Sequence, residues 1–358
     1  PDLYKAWGSK EFDKLYEIAE RKTSIWKKKI GAQELFMDIL KERAETGRIY
    51  IMNIDHCNDH SSFKDRIWMS NLCQEITLPT DPIQHIDGEG EIALCILSAI
   101  NIGKINRPEE LEPLCDLAVR SLDEIIEHQA YPIKSAEKST KARRSLGIGY
   151  IGLAHYLAKK GYSYEQKQAW KEIDKLTEAF QYYLLKTSIE LAKEKNKCEY
   201  FNKTKYADGI LPIDTYKKEV DQIVDRKLAY DWEELRKEIK KYGLRHSTLS
   251  AQMPSESSSV VSNETNGIEP PRDYLTVKKS KKGPLKQIVP EYNKLKNNYT
   301  LLWDMKSNEG YINIVAVMQK YFDQAISANW SYNPEHYEDG KVPLSVMAND
   351  LLNTYRLG

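Results

Sequence analysis

Apolar positions recur every three or four residues in some stretches of this chain and bunch into short unbroken runs in others. The first pattern marks amphipathic helices, the second strands or buried segments. Leu111, Leu114, Cys115, Ala118, Val119, Leu122, Ile125 and Ile126 trace one helix face. Residues 165–195 predict a long helix, and Asp231–Tyr242 a shorter one closed by Gly243. Ile312–Ile326 and Pro343–Tyr355 also read as helical, and 10–46 as two helices rich in Lys and Glu, the second ended by Gly47. Between them lie β-type runs: Arg48–Ile54, a loop with short strands over 61–80, Ile92–Ile102, Thr248–Met253 and Ser327–Tyr332. Ile92–Ile102 is nearly all apolar, the pattern of a strand buried on both faces of a parallel sheet. Arg143–Ala154 turns from strand-like to helical, and its glycines predict close packing of a helix on a sheet. Residues 199–230 predict an irregular polar insertion. Strands alternating with helices of this length imply an α/β fold with parallel pairing and helices outside. A helical approach segment over 1–47 precedes this mixed domain over 48–358.

Composition narrows the function classes. The 358 residues suffice to bury a core, with 41% hydrophobic and 30% charged residues and a net charge of zero. That balance gives no global electrostatic case for binding nucleic acid or a membrane surface. The run Lys278-Lys279-Ser280-Lys281-Lys282 reads as a solvated hairpin tip. No apolar stretch approaches the roughly 20 residues of a membrane span, and no signal peptide opens the chain. Five cysteines (Cys57, Cys73, Cys95, Cys115, Cys198) without framework spacing point to a reducing cytoplasm. Cys115 lies on the helix stripe and reads as core; Cys198 sits at the edge of the insertion. His56 and His60 have metal-ligand spacing but fall in a turn-like run, so no metal is expected there. The chain begins without Met, and both ends look cut.

The chemistry concentrates around Cys73. It sits in Ser70-Asn71-Leu72-Cys73-Gln74-Glu75, and Gly90-Glu91-Ile92-Ala93-Leu94-Cys95 follows close behind. In an extended strand or finger-like loop, Asn71, Cys73 and Glu75 would project to one face. They would line a pocket as hydrogen-bond donor, sulfur centre and base, and a turn and return strand would bring Cys95 near. Met253–Ser262 is a second candidate: small hydroxyl residues after a strand cap a helix and leave backbone N–H groups for an anion. By itself that run is also an ordinary Ser-rich cap. Asn263–Arg272 reads as a turn-rich loop. No Gly-x-x-x-x-Gly-Lys occurs, and the glycines of 147–152 lack the setting of a dinucleotide fingerprint.

Taken together, Ser70–Glu75 with the following Ile-Thr-Leu-Pro, Gly90–Cys95, Arg144–Gly149 and Met253–Ser258 continuing to Arg272 resemble, in this order, one family. It is the catalytic domain of the class I ribonucleoside-diphosphate reductase large subunit, closest to the bacterial and phage class Ia type. Weaker stretches agree at Thr46–Cys57, Gly209–Tyr216 and Ser327–Asn329, so the likeness covers nearly all of the chain. The resemblance implies a ten-stranded α/β barrel with a central finger loop, of which this chain supplies the C-terminal half. It implies that Cys73 is the thiyl-radical cysteine, Glu75 the carboxylate that takes the 3′-hydroxyl proton, and Asn71 the amide that bonds the substrate. Cys95 then matches one of two reducing cysteines, and Ser255, Glu256, Ser257 and Ser258 the segment that holds the substrate diphosphate.

What the family carries elsewhere sets the expected partners. Its other redox cysteine, its dNTP specificity site and its ATP-binding cone lie upstream of anything here. Its tyrosine pair for radical entry and its two-cysteine mobile tail lie downstream; Tyr4, Tyr50 and Tyr355 are not in that motif. Cys57 resembles a non-catalytic stretch and is expected to be structural. A split gene or a truncation is therefore expected, with a chain that works only in a hetero-oligomer. Its partners would be the N-terminal half and a small subunit supplying a radical from a di-iron/tyrosyl centre, with a thioredoxin- or glutaredoxin-type reductant and no cofactor held by this chain. The rival reading is a non-enzymatic remnant that binds a nucleotide or a partner; intact Asn71, Cys73, Glu75 and Cys95 argue against it.

Overall fold

The computed structural model describes residues 2–6, 10–83, 85, 89–280 and 283–358. They form two compact units that part between Ile51 and Met52. The first unit is helical: α1 (Asp2–Ala6), α2 (Lys10–Arg21) and α3 (Ala32–Thr46). Gly47 ends α3 at φ 62°, and its N–H closes on the Arg43 carbonyl at 2.9 Å. Lacking a Cβ, it takes this left-handed conformation without steric cost. The β-type run Arg48–Ile54 forms no strand: 48–53 are irregular and Ile54 opens a helix. Branched side chains favour a strand only where a neighbour completes the ladder.

The second unit is α/β. Its elements are α4 (Ile54–His60), β1 (Ile96–Asn101), α5 (Leu111–His128), α6 (Lys134–Arg143), β2 (Leu146–Ile151), α7 (Leu153–Lys160) and α8 (Lys167–Lys195). After them come α9 (Pro212–Thr215), α10 (Trp232–Tyr242), α11 (Glu256–Val261), β3 (Leu275–Ser280), β4 (Gly283–Ile288), α12 (Tyr292–Leu295), α13 (Glu309–Gln319) and α14 (Leu344–Leu357). β1 and β2 pair in parallel, Ile96 opposite Leu146 and Asn101 opposite Ile151. An extended run, 248–252, lies along the free edge of β2, with a parallel bridge from Ile148 to Ser250. Its other edge meets 325–327 through a parallel bridge from Gln252 to Ile326. Four extended segments thus lie side by side, with helices behind them. α5 packs on β1, and α8 packs on α5, α10 and α13.

The core follows from the helix stripes. Leu111, Cys115, Val119, Leu122 and Ile126 of α5 are buried as their spacing predicts. Cys115 touches the Phe180 carbonyl from within this core. Tyr150 of β2 meets the Phe180 and Phe322 rings edge-on at 5.4 and 6.0 Å, which locks β2, α8 and the segment after α13 together. α10 starts where Asp231 accepts the Glu234 N–H at 2.9 Å and stops at Gly243, both at the expected positions.

Several expectations need correction. The run 55–60 is not turn-like but lies in α4, and His60 spends both ring nitrogens on Thr215 Oγ1 (2.9 Å) and the Gln319 carbonyl (2.7 Å). Of Ile92–Ile102 only 96–101 is strand, and Leu97 is 45% exposed, so β1 is not buried on both faces. The fully buried strand is β2. Residues 61–80 hold no strand, only a bridge from Phe63 to Thr204. Insertion 199–230 is irregular as expected, but it buries Phe201, Tyr206, Leu211, Val220 and Val224. Its end is tied to α8, where Glu178 accepts from Ala229 N, Tyr230 N and Trp232 Nε1. The Lys278–Lys282 run does fall at the turn end of a hairpin, β3 paired antiparallel with β4 and Ser280 opposite Gly283, though Lys278 is paired with Glu256 at 2.8 Å; Lys281 and Lys282 lie outside the described residues.

Thr248–Met253 makes isolated bridges, not a ladder, and Ser327–Tyr332 follows the bridging Ile326 without a bridge of its own. The reason is that side chains take their backbone donors. Asp323 Oδ2 accepts Leu249 N at 2.9 Å, and Asp323 Oδ1 accepts Ser250 N at 2.8 Å. Asn308 Oδ1 accepts Ser331 N at 3.1 Å. The helix expected over Ile312–Ile326 accordingly stops at Gln319, whose side chain bonds the Phe322 and Gln324 carbonyls and turns the chain.

Asp323 also accepts the Ser250 and Tyr206 hydroxyls, at 3.1 and 2.7 Å, and is fully buried. Asp323→Ala should lower unfolding stability by roughly 3 kcal/mol or more, since each buried donor left unpaired costs about 1–3 kcal/mol. Urea unfolding followed by circular dichroism is the check; a loss below about 1 kcal/mol would contradict the anchoring role.

Candidate active site

Residues 62–67 are fixed before the Cys73 turn begins. Ser62 and Lys64 exchange backbone bonds with Lys205 and Lys203, and Asn58 brackets Ile67 by accepting its N–H at 2.9 Å and donating to its carbonyl at 3.0 Å. The chain then turns back on itself. Gln74 N donates to the Asn71 carbonyl at 3.2 Å with Gln74 at φ 67°, and the Ser70 hydroxyl donates to the Ile76 carbonyl at 2.7 Å. Asn71, Cys73 and Glu75 are therefore not alternate residues of an extended strand. They are gathered by a tight turn with Leu72 exposed at its tip.

Within the turn the Asn71 amide spans the loop. Its Nδ2 donates to Glu75 Oε1 at 2.9 Å, and its Oδ1 accepts Ile76 N at 3.3 Å. Glu75 is 2% exposed, and its Oε2 has no partner among the described residues. Burial pushes the Glu75 carboxyl above its ordinary range, against the opposing pull of the Asn71 amide. Half-buried Cys73 lies between them, its thiol raised by burial and by the Glu75 charge.

The return path to Cys95 is pinned by charge. Asp81 and Glu91 exchange backbone bonds at 3.2 Å. Glu91 holds Arg143 of α6 at 2.6 Å, and Arg143 reaches Asp65 at 2.7 Å. Burial alone would raise the Glu91 carboxyl, but the guanidinium outweighs it and holds the group below its usual range. Cys95 then packs with Ile76 and Ala93 on a small separate core of Phe63, Ile67 and Leu78. Burial pushes its thiol up to about 12, with the charges of Asp323 and Glu75 adding to the effect. Gly147 of β2 leaves the space it occupies: a Cβ there would come within 2.8 Å of Cys95 Sγ and 2.6 Å of the Leu97 side chain. The glycines of β2 thus admit a thiol and a neighbouring extended segment, not a helix packed on a sheet.

The structure brings Asn71, Cys73, Glu75 and Cys95 into one region. It adds Gln324, which no sequence pattern singled out, because 229 residues separate it from Cys95. Ser255–Ser258 follow the C-terminal end of the 248–252 segment, and among the described residues no hydrogen bond or ion pair joins them to the Cys73 turn. Ser255 stands at the N-cap of α11 but does not cap it: its hydroxyl donates back to the Met253 carbonyl at 3.1 Å. Ser259 turns its hydroxyl onto the Ser255 carbonyl. That leaves the exposed Ser257 and Ser258, with Glu256 held by Lys278. None of the five cysteines is disulfide-bonded, and Cys57 is half-buried with its thiol raised to about 12 by burial.

A family model described as ribonucleotide reductase, barrel domain, matches residues 1–358. The chain belongs to that family. It is 56% identical over 364 residues to the ribonucleoside-diphosphate reductase subunit alpha of Haemophilus influenzae, covering 100% of this chain and 48% of the relative. Identity to the ribonucleoside-diphosphate reductase 1 subunit alpha of Escherichia coli is 53%, with the same coverage. Identity to the subunit alpha of Enterobacteria phage T4 is 43% over 354 residues, covering 97% of this chain and 46% of the relative. The chain spans about half the length of the curated relatives it matches. Among the described residues no helix is long and apolar enough to cross a membrane.

Because the folded-state value of Glu75 lies above its unfolded one, its ionisation costs stability as pH rises past the ordinary carboxylate range. Glu75→Gln should therefore be more stable than the parent at neutral pH, with the difference vanishing below about pH 4. Urea midpoints measured across that range test this; a parent more stable than the variant at neutral pH would reverse the assignment.

Proposed function

We propose that this chain supplies the substrate-reducing part of a ribonucleoside-diphosphate reductase large subunit, converting ribonucleoside diphosphates to deoxyribonucleoside diphosphates. The observation that carries the reading is the Asn71–Glu75 turn. It sets a thiol beside a buried carboxyl, with a second thiol, Cys95, packed beside Ile76 on the small core of Phe63, Ile67 and Leu78. A non-catalytic module has no use for an unpartnered buried carboxylate oxygen in a turn that carries a thiol.

Each side chain has a distinct task. A thiyl radical at Cys73 takes the hydrogen atom from C3′ and later returns it. Glu75 accepts the 3′-hydroxyl proton while the 2′-hydroxyl leaves as water. Its raised pKa suits that exchange, since a base near the working pH both takes and gives back a proton. Asn71 orients that carboxyl and offers its amide to the sugar. Cys95, with a thiol from outside this chain, supplies two electrons and two hydrogens and becomes half of a disulfide, which an external dithiol of thioredoxin or glutaredoxin type reopens. The exposed Ser257 and Ser258 and the neighbouring backbone N–H groups receive the diphosphate.

The radical would come from a small subunit. The rest of the barrel would come from a polypeptide region corresponding to the other part of the relatives' length, giving a cytoplasmic hetero-oligomer or a longer chain. No residue here is assigned to radical entry.

Cys73→Ser should abolish turnover in the assembled reductase while leaving diphosphate affinity unchanged, because an alkoxyl radical is too hard to make and too reactive to control. Turnover assays paired with equilibrium binding are the check; reduction by the Ser variant would remove Cys73 from the radical role. Ser257→Ala or Ser258→Ala should weaken diphosphate binding by about 1.5–3 kcal/mol and leave nucleoside binding unaltered. Calorimetry with both ligands separates the cases, and equal losses would place the diphosphate elsewhere. In a single turnover without reductant, peptide mapping should find Cys95 bridged to a cysteine outside this chain, not to Cys57.

A further inference from the structure

We infer that Gln324 is a positioning residue for the Cys95 thiol, tying its sulfur to the turn that carries Cys73 and Glu75. This rests on the reading above, in which Cys95 is a reducing thiol. Gln324 is 3% exposed, and its amide has three partners from three separate parts of the chain. Its Oε1 accepts the N–H of Thr77, just after the turn, at 3.2 Å. Its Nε2 donates to the Leu146 carbonyl of β2 at 2.9 Å and to Cys95 Sγ at 3.7 Å.

The orientation of the amide is not free. Thr77 offers only an N–H and Leu146 only a carbonyl, so oxygen must face Thr77 and nitrogen must face Leu146. The second N–H is thereby aimed at the sulfur. A donor at that position favours the thiolate over the thiol, the form that attacks or is released in thiol–disulfide exchange.

The neighbours of Gln324 make the hold rigid. Asp323 is clamped by the 249–250 backbone, and Ala325 N donates to the Glu75 carbonyl at 3.1 Å. Three consecutive residues therefore join the 248–252 segment, the Cys95 sulfur and the Glu75 backbone. Gly147 closes the site from β2 by admitting the sulfur where any other residue would set a Cβ. Sulfur position and protonation are thus both governed by the Gln324 amide.

Q324E separates this role from a merely structural one. It keeps an oxygen for Thr77 N but removes the donors to Cys95 and to the Leu146 carbonyl, so Cys73 serves as the internal control for a general loosening. The measurement is alkylation by iodoacetamide across pH in the assembled protein, with Cys95 and Cys73 read separately by peptide mass spectrometry. Cys95 should react about tenfold more slowly near pH 8 in Q324E, with Cys73 unchanged. In turnover assays kcat should fall while KM for the diphosphate stays the same. Where Q324E does not fold, Q324L removes the same donors, and the acceptor for Thr77 N, without adding charge and should slow Cys95 likewise. An unaltered Cys95 profile, or equal changes at Cys73 and Cys95 in Q324E, overturns the inference. Alkylation is read without turnover, so a slowed Cys95 in a protein that reduces no ribonucleotide would uphold the positioning and sink the proposed function instead.

Discussion

The buried carboxylate of Asp323 is the constraint on which the site depends. It accepts two backbone N–H groups and two hydroxyls from segments far apart in sequence. Burial pushes its carboxyl up, and those donors work against that push. The arrangement replaces a strand ladder by a side chain. As a result 248–252 stays extended beside β2, and the chain after α13 runs parallel to it. Gln324 and Ala325 follow directly and reach the Cys73 turn. Had Asp323 been apolar, the 249–250 donors would have needed another strand, and the residues that fix Glu75 and Cys95 would lose their register.

Helices were legible because their signal is local. The stripe of α5, the Asp231 cap and the Gly243 stop of α10 each depend on residues within a few positions. Strands were less legible. Arg48–Ile54, Thr248–Met253 and Ser327–Tyr332 all carry β-type composition, yet none forms a ladder, because pairing depends on partners that composition does not reveal. The buried side chains of 199–230 were not legible for a related reason. Phe201 and Tyr206 are too widely spaced to show a period, and Glu178 on α8 anchors the segment from outside it.

The candidate site was legible as residue identities but not as geometry. Alternation along an extended strand or finger-like loop put Asn71, Cys73 and Glu75 on one face; they lie in a loop, where a tight turn with Gln74 at positive φ gathers them instead of alternation. The nearness of Cys95 was inferred from a return strand; it comes about through the Asp81–Glu91 bridge and the Arg143 ion pairs. Gly147 was visible as a glycine but not as the gap that receives Cys95 Sγ. Contacts between residues so far apart leave no local spacing to read.

The buried carboxylates of this chain show why Glu75 stands apart. Glu178 accepts from two backbone N–H groups, an indole N–H and a guanidinium; Asp123 is ringed by Arg144, Arg245 and His246; Glu91 is held by Arg143. Each of these has a neighbouring cation, and each holds distant segments in place. Glu75 is as buried as they are, but it has one amide and one oxygen without a partner. An incompletely satisfied carboxyl costs stability wherever it sits, so a fold that pairs the others has no structural reason to leave this one exposed to that cost. A proton acceptor must keep an oxygen free for the group it serves. The same imbalance that weakens the fold at Glu75 is what the general-base role proposed for it requires.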